Sequence, residues 1–227
     1  MAQTQRRDAE TKAPRIPARA PAAERRDARL LSIEQEGSFD TLRFEGQRME
    51  VDERLDATLA SFLDCAFEGL SLGTFACDHA QLTGTDMDAC GMVRLSMVGA
   101  SVFSSGFASS RFGSMDAMES VLRSVEFQGC RIGYLNLRAA QWRDVVFRDC
   151  RIDQFDAADA TLARVAFPGT AIGSLSLRHA SLADVDLRGA KLEEIQGVEY
   201  LHGVTMTLDQ IADLAPAFAA SIGIRLR

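Results

Sequence analysis

The sequence has no long apolar run, and no stretch approaches the ~18 unbroken apolar residues that a membrane-spanning helix needs. The N-terminus is rich in arginine but has no apolar segment of the kind found in secretory signals. Neither a membrane span nor secretion is therefore expected. We predict a cytoplasmic protein that makes no contact with a membrane.

Residues that would form a catalytic or metal centre are also scarce. The three histidines, His79, His179 and His202, are scattered. His79 and His179 would lie roughly 24 Å apart in the fold predicted below, so they could not share a metal ion. No Gly-x-Ser-x-Gly elbow and no phosphate-binding loop occurs. The sequence therefore predicts no enzyme, no cofactor and no metal site.

Positive charge is in deficit, with 25 Lys and Arg against 32 Asp and Glu and a net charge of −7. The deficit is uneven, because residues 1–30 hold eight basic and four acidic residues, a net of +4. The rest of the chain therefore carries −11. So acidic a body is poorly suited to gripping phosphates, and we expect no direct nucleic-acid binding by it.

An apolar residue returns at every fifth position over about residues 57–197. This column begins at Phe62, Phe67 and Leu72 and continues without a charge to Leu192. A second uncharged column lies two residues earlier in each repeat and runs from Ala60 to Ile195. A period of five matches neither a helix nor a simple strand, so it indicates a repeat architecture.

A longer period of twenty lies within the period of five. In the second column, small residues such as Ala80 and Ala100 recur every twenty positions, and large ones such as Phe75 and Leu95 recur between them. The pattern predicts a square coil with one pentapeptide per side and two inward residues per pentapeptide. About seven such coils, stacked at ~4.8 Å, would form a filled rod.

Small residues have assigned places in this scheme. Gly69, Gly129, Gly169 and Gly189 follow the apolar centre by two positions, where a tight corner with positive φ is expected. Cysteine is odd in number, with five residues. Since three of them fall in the inward column, we predict free buried thiols in a reducing compartment. These three are Cys90, Cys130 and Cys150.

The ends of the chain depart from the array. Residues 1–29 are predicted to be a disordered basic tail, and residues 30–56 an irregular N-terminal capping coil. Residues 57–197 form the repeat, and residues 198–227 a C-terminal helical cap. Thr207 and Gln210 have the spacing of a capping box. Pro216 is expected to kink or split the helix, and Gly223 to end it.

The pentapeptides Ala180–Asp184, Val185–Gly189 and Ala190–Glu194 resemble the A(D/N)LXX signature of pentapeptide repeat proteins. The resemblance covers about residues 57–197. It implies an all-β solenoid, the right-handed quadrilateral β-helix of that family, here with an irregular N-terminal coil and a short C-terminal helical cap.

The C-terminal part, from Asp186 to Lys191-Leu192 and then to Ile222-Gly223-Ile224, resembles the ending of the fluoroquinolone-resistance (Qnr and MfpA) branch. This resemblance implies a homodimer formed through the C-terminal module. It also implies binding to DNA gyrase or topoisomerase IV as an acidic rod that imitates a DNA segment. The array has no inserted loop and is more similar to the loopless actinobacterial members. Binding or inhibition of gyrase is therefore favoured over protection from a drug.

Outward residues supply the candidate contacts. Acidic residues repeat along the sides of the predicted rod and could imitate phosphates, although a mixed-charge soluble surface explains any single one of them equally well. The candidate acids are Glu68, Asp86, Asp88, Asp116, Glu119, Glu126, Asp156 and Asp159. The basic residues of another side are expected to pair with neighbouring carboxylates, and these are Arg111, Arg131, Arg151 and Lys191.

Apolar residues form a second candidate surface. Val98, Phe103 and Met118, with Val93 beside them, are outward by register, and such patches often mark contacts. Helically spaced apolar residues near the C-terminus are predicted to form the dimer interface. These are Leu208, Ile211, Leu214, Phe218 and Ile222.

Two functional hypotheses follow. The first is a non-enzymatic, DNA-mimicking protein that binds a type II topoisomerase and modulates sensitivity to quinolones or topoisomerase toxins. The second is a repeat scaffold for an unrelated protein partner. Neutralisation of the acids by arginines such as Arg131, Arg138, Arg151 and Arg178 would favour the second.

Overall fold

The protein is a parallel β-solenoid of about nine turns. The computed structural model describes residues 11–17 and 25–225. In the array, every strand pairs in parallel with the strand twenty residues further on, as Phe107 does with Phe127 and Phe127 with Phe147. The twenty-residue coil predicted from the sequence is therefore confirmed.

Each coil has four sides, which we number by their central inward residue. The first side is centred on Phe62, the second on Phe67, the third on Leu72 and the fourth on Cys77, and each centre recurs at intervals of twenty. The first and second sides share one sheet, which has 14 strands within the described residues. Its strands are Arg26–Asp27, Ser38–Asp40, Leu42–Glu45, Ser61–Leu63, Ala66–Glu68, Gln81–Thr83, Asp86–Asp88, Ser101–Phe103, Gly106–Ala108, Val121–Gln128, Gln141–Arg148, Thr161–Ala166, Ser181–Asp186 and Val204–Thr205.

The third side forms the other sheet, which has eight strands in the described part of the chain. Most of these strands have six residues and extend through the corner towards the fourth side. They are Arg54–Asp56, Ser71–Ala76, Gly91–Ser96, Arg111–Asp116, Arg131–Asn136, Arg151–Asp156, Ala171–Ser176 and Lys191–Gln196. The fourth side is formed largely by turns between these strands and the next coil.

The corners are of two kinds. At three of them the residue two after the centre has positive φ, as in Asp64, Gly69 and His79, whereas the corner after the third side is extended strand. The predicted positive φ is confirmed for Gly69, Gly129 and Gly169. It is wrong for Gly189, where a Cβ would lie 2.9 Å from the Cα of Pro168. Glycine at that position therefore permits a close approach between coils.

The interior is filled with side chains. Both inward columns are buried over most of their length, and only Leu182 and Leu192 near the C-terminal end are partly exposed. Phe127 stacks on Phe107 and Phe147, with ring centroids 4.6 and 4.5 Å apart. Burial of each such ring stabilises the fold by about 1.5–3 kcal/mol, so the stacked interior accounts for much of the stability.

Small polar residues occur inside because they bond to the backbone. The Ser110 hydroxyl accepts from the Cys90 N–H at 3.0 Å and donates to the Ala108 carbonyl at 2.7 Å. Thr170 accepts likewise from the Cys150 N–H at 3.2 Å and donates to the Phe147 carbonyl at 2.8 Å. These bonds satisfy hydroxyls that would otherwise be costly to bury.

The N-terminal coil is longer than the others. Phe39 pairs with Phe62 and Phe44 with Phe67, an interval of 23 residues rather than 20. The shift of three residues in the sequence pattern therefore corresponds to a larger turn before the array. This turn includes a hydrogen bond from the Glu53 N–H to the Glu50 carbonyl.

Part of the tail that was predicted to be disordered is ordered against the solenoid. Arg26–Asp27 is a strand paired with Leu42 and Arg43, and residues 11–17 are bonded to the array. The remaining residues of that prediction, 1–10 and 18–24, lie outside the described residues. Composition missed these contacts because they are made largely through backbone groups, which every sequence has.

The C-terminal end closes with two short helices, Leu208–Asp213 (α1) and Ala215–Ser221 (α2). The capping box of Thr207 and Gln210 is confirmed, and Pro216 lies in the first turn of α2, where the predicted split occurs. The Gln210 amide also donates to the carbonyls of Leu187 and Ala190 at 2.6 and 2.8 Å. One side chain therefore caps α1 and ties it to the last coil.

Candidate interaction surfaces

Most of the candidate acids are ion-paired. Five of the eight have a guanidinium nitrogen within 4 Å, which reduces the field they present to a partner. These pairs are Arg43–Glu68 at 3.9 Å, Arg25–Asp86 at 3.4 Å, Arg94–Asp116 at 2.9 Å, Arg148–Glu126 at 3.2 Å and Arg138–Asp156 at 2.7 Å. The expected acidic columns are therefore columns of mixed sign.

Three acids remain outside these pairs. Asp88, Glu119 and Asp159 are exposed, and none of them forms an ion pair with another described residue. Glu119 and Asp159 occupy one corner, two coils apart, and Asp88 lies on the second side. The structure thus offers three separate negative charges to a partner.

The basic column behaves differently from the expectation. Arg111, Arg131 and Arg151 are directly opposite one another in adjacent strands of the third side. Arg151 pairs with Asp153 at 2.9 Å, whereas Arg111 and Arg131 form no ion pair with any described residue. The prediction that this column pairs with carboxylates is therefore wrong for two of its arginines, and positive charge accumulates on this side.

The predicted apolar cluster is only partly exposed. Val98, Phe103 and Met118 are half-buried, while Val93 is 53% exposed. Val98 and Met118 lie in adjacent coils, since the Gly99 N–H donates to the Met118 carbonyl. The four residues span the third, fourth and first sides, so they do not form one flat patch.

The residues predicted for dimerisation divide into two groups. Leu214 is buried and Phe218 partly buried, and both pack on the hydrophobic core of the solenoid. Leu208, Ile211 and Ile222 point outward, with exposures of 87%, 41% and 74%. The first group closes the core, and only the second group is accessible to another chain.

A further surface was not predicted from the sequence. Residues 11–17, which we call the strap, run along the corner between the first and second sides. We call this corner, formed by residues 64, 84, 104, 124, 144, 164 and 184, the first corner. The Lys12 N–H donates to Asp184 at 3.2 Å and the Arg15 N–H to Asp144 at 2.9 Å. The Ser124 hydroxyl donates to the Arg15 carbonyl at 3.2 Å, and Thr11 bonds to Thr205.

The strap matches the solenoid in spacing. Asp144 and Asp184 are two coils apart, about 9.6 Å at the usual strand spacing. Lys12 and Arg15 are three residues apart, which is about 10 Å in extended chain. Two backbone N–H groups therefore meet two carboxylates without distortion. The strap runs from the C-terminal end of the solenoid towards the N-terminal end.

Asp144 is the best-held residue of this surface. It is 7% exposed, and its two oxygens accept from Arg164 Nε and Nη2, both at 2.6 Å. Burial alone would raise the pKa of this carboxyl, but the Arg164 guanidinium and the Arg15 N–H outweigh burial and lower it. Asp144 is therefore a charged anchor at neutral pH.

The interior period, the four-sided coils and the helical cap together decide the architecture. The fold is the pentapeptide-repeat β-solenoid. No family model and no curated protein matches the chain. Three solved structures of that fold align with the chain at low identity.

A trypsin-treated variant of QnrB1, a plasmid-mediated fluoroquinolone resistance protein, is 15% identical, with a TM-score of 0.31 and coverage of 84% of this chain and 100% of that one. Full-length QnrB1 is 16% identical, with a TM-score of 0.28 and coverage of 83% and 100%. HetL of the cyanobacterium Nostoc sp. strain PCC 7120, a protein involved in heterocyst differentiation regulation, is 13% identical, with a TM-score of 0.38 and coverage of 71% and 85%. Superpositions this loose carry nothing about partners, and the fold rests on the strand register described above.

Within residues 11–17 and 25–225 of the pentapeptide-repeat solenoid, no group of three His, Cys, Asp or Glu side chains could hold a metal ion. All five cysteines are buried and free, and burial raises the pKa of Cys90 to about 11. No helix in the same residues is long and apolar enough to span a bilayer. His179 bonds to the Tyr200 hydroxyl at 2.9 Å, far from the strap.

Proposed function

We propose that the chain is a non-enzymatic protein-binding rod. The observation that supports this is the strap, because an extended chain is already held on the outside of the rod by hydrogen bonds between its backbone and the side chains of one corner. The filled core leaves the outward residues free to vary without loss of the fold. Specific binding would therefore be encoded on the sides and corners, as it is in other solenoids.

A type II topoisomerase is our candidate partner, with the rod acting in the cytoplasm on gyrase or topoisomerase IV. The net charge of −11 beyond residue 30 and the unpaired carboxylates of Asp88, Glu119 and Asp159 support it. The five ion-paired acids weaken the imitation of DNA, so an unrelated protein partner is the competing proposal.

A gyrase supercoiling assay tests this partner, with and without ciprofloxacin. The chain should inhibit supercoiling, and the triple variant Asp88→Asn, Glu119→Gln, Asp159→Asn should be about tenfold weaker if each lost charge removes a few tenths of a kcal/mol or more. A control triple with the same charge change, Glu34→Gln, Glu193→Gln, Asp213→Asn, should inhibit like the native chain. Neither inhibition nor protection at micromolar protein would exclude gyrase.

We also propose that two copies associate through the exposed faces of the C-terminal helices. Leu208, Ile211 and Ile222 form an apolar surface at the end of the rod, and burying it would favour association. Leu208→Glu should give monomers in analytical ultracentrifugation, and Leu31→Glu is the control because Leu31 is equally exposed at the opposite end. A native chain that is monomeric at 100 μM or so would contradict the dimer.

A further inference from the structure

The groove that holds the strap is built for a particular kind of chain. Of the strap's seven residues, Pro14 and Pro17 have no N–H, and the two N–H groups that bond to the solenoid belong to Lys12 and Arg15. The donors therefore recur every three residues, with proline between them. A polyproline-type chain has this period, about 9.3 Å per three residues, which is close to two coils of the solenoid.

The floor beneath the strap is unusually low. On the second side, the outward positions include Ala66 and Gly106, both buried, and Val146, which is 7% exposed despite pointing out of the coil. The groove has a volume of about 830 Å³. Its lining includes Pro14, Ile16 and Pro17 of the strap.

The groove continues beyond the strap and is acidic there. Glu68, Asp86, Asp88 and Glu126 line it, and only Arg25 and Arg148 are basic among its lining residues. The strap itself includes two cationic residues, Lys12 and Arg15. A cationic, proline-containing segment therefore fits the groove in backbone geometry, side-chain size and charge.

We propose that the first corner and second side form a binding groove for an extended, cationic, proline-containing segment of a partner protein, and that the strap is its resident occupant. This inference rests on the proposed function as a protein-binding rod but not on gyrase as the partner. A tethered segment competes at an effective concentration in the millimolar range. The strap therefore limits access to partners that bind the groove more tightly or displace it from elsewhere.

The first experiment measures whether the strap is docked in the full chain. Trypsin cleaves after Arg15 only where the chain can leave the groove, so cleavage should be slow in the native protein. Asp144→Gly with Asp184→Gly should accelerate it at least about tenfold, because two hydrogen bonds to charged acceptors are lost. Glycine suits both positions, where φ is 57° and 55°. Asp159→Gly, with φ of 59° at a different corner, is the matched control and should leave the rate unchanged.

The second experiment measures binding in trans by fluorescence anisotropy. The probe is a labelled synthetic peptide with the sequence of residues 10–19, and the full chain is opened by Lys12→Pro and Arg15→Pro, which remove both donors of the strap. The opened chain should bind the peptide at least about tenfold more tightly than the native chain does. Peptide N-methylated at Arg15 should bind poorly, whereas peptide methylated at Ala13, whose N–H bonds to no described residue, should bind normally.

Each result decides the proposal. Adding Asp144→Gly and Asp184→Gly to the opened chain should weaken peptide binding at least about tenfold, and Ser124→Gly provides a second variant if that chain unfolds. Equal affinity of the opened chain with and without these changes, or no peptide binding to it, would overturn the groove. Equal trypsin rates in native and Asp144→Gly/Asp184→Gly chains would overturn occupation by the strap. Failure of the gyrase assay alone leaves both results unaffected.

Discussion

The second and third sides of the solenoid obey the same register but present different surfaces. On the second side the outward column alternates between small residues and acids, as in Ala66, Asp86 and Gly106. On the third side the corresponding column holds Arg111, Arg131 and Arg151. A basic N-terminal segment packs on the former and would be repelled by the latter. Outward residues, and not the coil itself, therefore decide where a chain can bind.

The largest expected effect would abolish both sides at once. Phe127→Ala removes a ring that stacks between Phe107 and Phe147, and large-to-small changes of this kind cost about 3–5 kcal/mol. Urea unfolding should show a loss of this size. Phe103→Ala, at a half-buried outward position, is the control and should cost well under half as much. Equal losses would mean that the interior stack does not dominate stability.

A smaller effect should distinguish the strap-bearing surface from the rest. Asp144→Asn keeps a residue that tolerates positive φ but removes the charge facing Arg164, at an expected cost of about 1–3 kcal/mol at pH 7. Asp159→Asn, which is exposed and positioned at another corner, should cost less than ~0.5 kcal/mol.

The pH dependence of Asp144 has a definite sign. Its pKa is lowered in the folded state, so its contribution is present above the unfolded value of about 3.9 and is lost as pH falls below it. The stability difference between the native chain and Asp144→Asn should therefore shrink between pH 5 and pH 3 or so in chemical denaturation. A difference that stays constant over this range would contradict the ion pair.

The smallest effect concerns the third side. Arg131 lies between Arg111 and Arg151, and like charges opposite each other destabilise a sheet. Arg131→Glu should raise the free energy of unfolding by about 0.2–1 kcal/mol at low salt, and less at 1 M salt or so. Lys191→Glu is the control, because its neighbour in the sheet is the uncharged Ala171. A stabilisation independent of salt would exclude charge relief as its cause.

Much of the fold could be predicted because each element has a local cause. The two inward columns, the capping box at Thr207 and the break at Pro216 all depend on residue type and spacing along the chain. Ser120, which interrupts a column of alanines, could not be explained in this way. Its hydroxyl accepts from the Trp142 N–H at 3.1 Å, and Trp142 belongs to the next coil.

The candidate surfaces were predicted less well, since they depend on pairs of residues distant in sequence. Register placed Asp116 and Asp156 on the outside, but it did not show that Arg94 and Arg138 pair with them. Leu214 was assigned to the dimer on helical spacing, which identifies an apolar face without showing what covers it. In the structure this residue covers the core of its own chain.

The amino-acid pattern by itself determined the coil, because a side chain that recurs every fifth residue can be buried only if the backbone turns every fifth residue. Tertiary structure alone decided which outward charges cancel and where residues 11–17 lie. Those outcomes depend on backbone N–H groups and on residues brought together from positions more than a hundred apart, such as Arg15 and Asp144. Backbone groups are the same in every residue, so no pattern of side chains could have indicated their partners.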